Sequence, residues 1–118
     1  MVTIDDRPTD SRETRPQVRA IVEDVVGCKW TLHVLMQVRA GVTRPGQIVR
    51  SADGLTRKVL YERLAKLVRY GMLERVAYPE VPPRVEYRMT AFGDRLNTVL
   101  DAIDAIQREY DAPTADPG

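Results

Sequence analysis

The chain has 118 residues, 43% hydrophobic and 30% charged, the profile of one folded domain and not of a disordered chain. Eighteen Lys and Arg against 17 Asp and Glu leave a formal net charge of +1, and the single Cys and single His exclude an intrachain disulfide, a cysteine-based zinc site and a His-rich metal cluster. No apolar run reaches the roughly 18 residues that a membrane span needs, and the polar opening MVTIDDRPTDSRETRP is unlike a signal peptide, so the expected compartment is the cytoplasm.

Residues 1–16 hold two Pro and only Val2 and Ile4 as sizeable apolars, and they read as an irregular arm. A folded unit is expected over 17–111, with a short tail over 112–118. Val18, Ile21, Val22, Val25 and Val26 recur at helical spacing up to Gly27. A second helix, from about Lys29 to Ala40, is apolar on most sides and is expected to be the central one, with Gly41 as its stop. A short helix follows from Pro45 to Ala52, then an Asp53-Gly54 turn. Thr56 is placed to cap a helix running to Tyr70, whose apolar side is Val59, Leu60, Leu64, Leu67 and Val68. After Gly71 the period becomes two, and 72–78 and 84–89 read as strands. Pro79, Pro82 and Pro83 stiffen the tip between them. Thr90 caps a final long helix with a stripe of Leu96, Val99, Leu100, Ile103, Ile106 and Tyr110.

This order predicts a mainly α fold with a small β-hairpin, a winged helix-turn-helix whose N- and C-terminal helices serve for dimerisation. The near-neutral total hides an uneven distribution. Residues 1–28 carry a net −2, 29–43 a net +2, 44–95 a net +5 and 96–118 a net −4. A basic middle between acidic ends suits a polyanion. In such a motif the second helix enters the DNA major groove by its N-terminal residues, here Thr56, Arg57, Lys58, Tyr61 and Glu62. Arg84 at the hairpin tip suits the minor groove or its phosphates, and Arg44 and Arg50 are lesser phosphate candidates. A solvated helix face is the simpler account of any one of these residues; the hairpin that follows the helix favours the DNA reading. The terminal stripes exceed what a central unit of roughly 75 residues can cover, which points to a two-fold dimer.

Gly27-Cys28-Lys29-Trp30-Thr31-Leu32, Lys58-Val59-Leu60 with Arg63-Leu64, and Tyr70-Gly71-Met72-Leu73-Glu74-Arg75 resemble motifs of the HxlR family of bacterial winged helix-turn-helix regulators, which are relatives of the MarR type. The stretch from Tyr78 through Pro82-Pro83-Arg84-Val85-Glu86-Tyr87 to Gly93 is similar to that family's wing almost letter for letter. The resemblance spans about 17–110. It implies a homodimeric regulator of transcription, often a repressor, on double-stranded DNA. Two departures stand out. Gln17 occupies the position where many redox-sensing members carry a cysteine, and Cys28 stands where the family usually has a second glycine. Pro45 and Gly46 replace an aromatic residue and its neighbour.

Cys28, beside Lys29 at a helix start, is a candidate redox or effector sensor, although a small residue at a helix junction is the simpler reading. Trp30, His33, Met36 and Tyr110 are placed to line a small-molecule effector pocket between the dimer helices and the core. No nucleophile–base pair, phosphate loop or metal-ligand spacing appears, so neither an enzyme nor a cofactor is expected. The alternative function is a winged helix that docks a protein partner without DNA.

Overall fold

A computed structural model describes residues 17–113. The expected arm over 1–16 and most of the expected tail lie outside the described residues. Helix α1 is Val18–Gly27 and buries Ile21 and Val25, one turn apart. Cys28 alone, in an extended conformation, separates it from α2, Lys29–Arg39. Helix α2 is the central one: Thr31, Val34 and Leu35 have no exposure at all. Helix α3, Pro45–Val49, ends earlier than the sequence suggests, because the chain turns from Arg50 onward to reach the helix-turn-helix corner. Gly54 makes that corner at φ +89°, a backbone conformation that favours glycine, and it lies against the Trp30 ring. Helix α4, Arg57–Arg69, is capped as expected, with Thr56 Oγ1 accepting from the Val59 N–H at 3.2 Å.

Strands β1, Leu73–Tyr78, and β2, Arg84–Met89, pair antiparallel with Leu73 opposite Met89 and Tyr78 opposite Arg84. The hairpin is pinned to the loop before α3 by Tyr87 N–H, which donates to the Thr43 carbonyl at 2.8 Å. Leu60, Leu64 and Leu67 of α4 close on Leu35 and Ile48, and Met72, Leu73 and Tyr87 seal the hairpin side. Burial of this kind is worth roughly 1.5–3 kcal/mol for each large apolar side chain.

The last helix differs from the sequence expectation. It is broken into α5, Ala91–Arg95, and α6, Asn97–Asp111, with Leu96 between them. Thr90 caps α5 by accepting from Gly93 N–H at 3.0 Å. Gly93 is pressed so close to the hairpin that a Cβ there would stand 2.3 Å from the Met72 carbonyl oxygen. This clamp fixes α5 against the residue that leads into β1, and Leu96 stands as a single turn residue between α5 and α6. Leu96 and Leu100 enter the core beside Val22, Val25 and Leu35, but Val99, Ile106 and Tyr110 are exposed. Arg39 joins α2 to α6 through Asp101 and Asp104.

Candidate nucleic-acid interface

The apolar side of α4 is spent on the core, so its other side faces outward. Thr56, Arg57, Lys58, Tyr61 and Glu62 are all exposed. Among the described residues, no carboxylate lies within ion-pair distance of Arg50, Arg57 or Lys58. The first turn of α4 also presents the positive end of the helix dipole. A groove of about 430 Å³ runs between this face and the hairpin. It is lined by Tyr61 of α4, by Arg44 and Pro45 at the start of α3, and by Glu80 to Val85 of the hairpin. The structure therefore brings Tyr61, Arg44 and Arg84 to one groove. Arg50 sits at the C-cap of α3 with its guanidinium folded back toward Gly46.

Arg84 is the first residue of β2, and it is only partly exposed. Its Nη1 donates to Glu86 Oε2 at 2.8 Å and its Nη2 to Glu80 Oε2 at 2.9 Å. The guanidinium carbon lies 3.8 Å from the centroid of the Tyr78 ring. Glu86 also faces Arg44 Nε at 3.8 Å and Arg88 Nη2 at 3.7 Å. Arg88 in turn donates to the Tyr78 hydroxyl. The sequence reading missed this cluster. The signal that could have found it is the Arg84-x-Glu86-x-Arg88 run, since alternate residues of a strand share one face.

A second polar junction joins α1 to α4. The Tyr70 hydroxyl donates to Asp24 Oδ2, and Lys66 Nζ lies 3.2 Å from the same oxygen. The Tyr70 hydrogen bond, helped by Lys66 and Arg63, holds the Asp24 carboxyl below the usual carboxylate range against the opposing effect of burial. The same bond and burial push the Tyr70 hydroxyl up. Nearby, Thr31 Oγ1 donates to Cys28 Sγ at 3.1 Å. That bond lowers the thiol's pKa, burial opposes it, and Arg63 and Lys66 add a smaller lowering.

Of the four residues read as an effector pocket, the single chain brings Trp30 and His33 together. Trp30 and His33 meet edge to face at 5.8 Å, and His33 Nε2 is 2.8 Å from Ser51 Oγ. Met36 accepts from Arg39. Tyr110 stands 86% exposed near the end of α6. None of the four lines the groove or the small apolar cleft beneath α6. No helix among the described residues is long and apolar enough to cross a membrane.

Residues 25–115 match the model of the HxlR-like helix-turn-helix family. The chain is 37% identical over 89 residues to the uncharacterised HTH-type transcriptional regulator sll1512 of Synechocystis sp., a match covering 75% of this chain and 66% of that one. It is 43% identical over 87 residues to the uncharacterised HTH-type transcriptional regulator Mb3122 of Mycobacterium bovis, covering 74% of this chain and 54% of that one. The matches thus span just under two thirds, or less, of these curated relatives' own lengths. Among solved structures, a protein assigned to the MarR family of transcriptional regulators from Enterococcus faecalis V583 superposes with a TM-score of 0.69 at 27% identity, covering 91% of this chain and 94% of that one.

Proposed function

The chain belongs to the HxlR-like helix-turn-helix family, and from that membership we propose that it is a sequence-specific DNA-binding regulator of transcription. It acts as a homodimer in the cytoplasm, on a pseudo-palindromic operator, and represses the genes beside it. Helix α4 enters the major groove: Arg57 and Lys58 read guanine acceptors, Glu62 accepts from cytosine N4, and Tyr61 contacts a thymine methyl or a phosphate. Arg84 follows the wing to the adjacent minor groove or its phosphates, and Arg44 and Arg50 hold the backbone. The observation that carries this reading is the groove between α4 and the wing. One wall holds Tyr61 of α4 and Arg44, the other is the pinned hairpin bearing Arg84, and the exposed first turn of α4 adds Arg57 and Lys58 beside the groove, with no carboxylate among the described residues in ion-pair distance of either. The exposed stripe of α6 supports the dimer, which sets its two α4 helices about 34 Å apart, one turn of DNA. An effector, either a small molecule or an oxidant acting at Cys28, would shift the relation between those two helices.

The test is to recover the genomic fragments that the purified protein retains and to titrate them in mobility shifts. Lys58→Ala is expected to cost about 1–3 kcal/mol and to relax specificity at one base position, and loss of a phosphate contact at Arg84 is expected to lower the salt slope by about one. Unchanged affinity in both variants contradicts the reading. Failure to retain any duplex at low salt, with a protein co-purifying, supports the docking alternative.

A further inference from the structure

The wing arginine does not stand free in the groove; it is gripped by two carboxylates that differ in how firmly they are held. Glu86 has a side chain only 14% exposed and faces three guanidinium groups, those of Arg44, Arg84 and Arg88. It cannot turn away without leaving all three without their shared anion. Glu80 has a side chain 49% exposed, and among the described residues it pairs with Arg84 alone. It rides on the proline-stiffened loop at the mouth of the groove. An ion pair this exposed has little net worth, because both charges keep most of their hydration. A phosphodiester oxygen matches a carboxylate oxygen as an acceptor for one guanidinium edge, and a duplex presents such oxygens at high density.

We propose that Glu86 and Glu80 form an acid clasp on Arg84 with one fixed and one displaceable jaw, and that on binding a DNA phosphate takes the place of Glu80. The inference rests on the DNA-binding reading above. Glu86 and the Tyr78 ring, 3.8 Å away, keep the guanidinium oriented while its Nη2 edge changes partner. Glu86 is thus a positioning residue for three arginines. Glu80 is a competitor that weak polyanions fail to displace.

The two jaws predict effects of opposite sign for chemically identical substitutions. Fluorescence anisotropy of a retained duplex, titrated across salt, reads both, with a thermal melt of each variant as the check on folding. Glu74→Gln removes a charge from an exposed site on the same hairpin and serves as the control for net charge. Glu80→Gln is expected to tighten binding about threefold beyond the control and to steepen the salt slope by up to about one, and the gain disappears in an Arg84→Ala background. Glu86→Gln is expected to weaken binding although it also removes a negative charge. Should Glu86→Gln lose its cooperative melt, the Glu80 and Arg84 double-mutant cycle decides alone. The clasp is overturned if Glu80→Gln matches Glu74→Gln, or if its gain survives without Arg84. It is also overturned if a folded Glu86→Gln tightens binding. A wild-type protein that retains no duplex at low salt overturns the DNA-binding reading and the clasp together, whereas duplex retained with equal effects in all backgrounds overturns the clasp only.

Discussion

Helices α4 and α6 are both amphipathic, yet they leave opposite things in water. On α4 the apolar side is finished within the chain: Leu60, Leu64 and Leu67 have no exposure, and the solvent face is Arg57, Lys58 and Glu62. On α6 only Leu100 is buried, while Val99, Ile106 and Tyr110 are 39%, 62% and 86% exposed among the acids Asp101, Glu109 and Asp111. A stripe of regular spacing therefore does not say what covers it. The first stripe builds a rigid core under a cationic face. The second is an apolar stripe left in water beside acids, the surface that the proposed homodimer would cover with a copy of the same helix.

The strongest way to break the contrast is to hollow out the finished side. Leu35→Ala, beneath α4, is expected to cost about 2–5 kcal/mol in urea denaturation, because the site is enclosed by other helices and cannot collapse. A substitution on the unfinished side is expected to behave in the reverse manner. If the homodimer proposed above forms through α6, Ile106→Asp leaves the stability of the isolated chain within about 0.5 kcal/mol, as for other exposed positions, but raises the dimer dissociation constant by about a hundredfold or more in analytical ultracentrifugation. A dimer unaffected by Ile106→Asp places the two-fold contact elsewhere.

The smallest effect sharpens the comparison at the seam between the two regions. The Asp24 carboxyl titrates below its unfolded value, so its contribution to stability is present above about pH 4 and is lost as pH falls through the lower folded value. The Tyr70 hydroxyl titrates above its unfolded value, so its contribution is present below about pH 10 and is lost as pH rises through the higher folded value. Both side chains keep some solvent contact, which limits the worth of the pair. Asp24→Asn is expected to cost about 1 kcal/mol at pH 7 and less at pH 3, compared by urea denaturation at the two values. An equal cost at both assigns the loss to packing.

Local chemistry made most of the fold legible. Thr56 caps the helix it was expected to cap, Thr90 caps the first piece of the expected final helix, the two strands pair within a residue of the expected bounds, and the apolar α2 is central. The break at Leu96 was not legible, because no Gly or Pro stands there. The candidate groove residues of α4 were readable from helical period alone. The grip on Arg84 was readable only in its Glu86 half, as alternate residues of one strand; the Glu80 and Tyr78 contacts depend on the shape of the turn and on Tyr78 and Arg84 being opposed across the hairpin. The Asp24 junction joins residues 42 and 46 positions apart, and no local pattern announces such a pair.

The absent side chain at Gly93 has a mechanical consequence. With backbone resting on backbone, α5 and the residue that leads into β1 have no compressible layer between them, so the wing and α5 move as one piece. In the homodimer proposed above, that joint would hold each wing at one set distance from the two-fold axis. On that proposal, inserting or deleting a single base pair at the centre of a pseudo-palindromic site is expected to weaken binding, because bending at this joint would not follow the changed spacing.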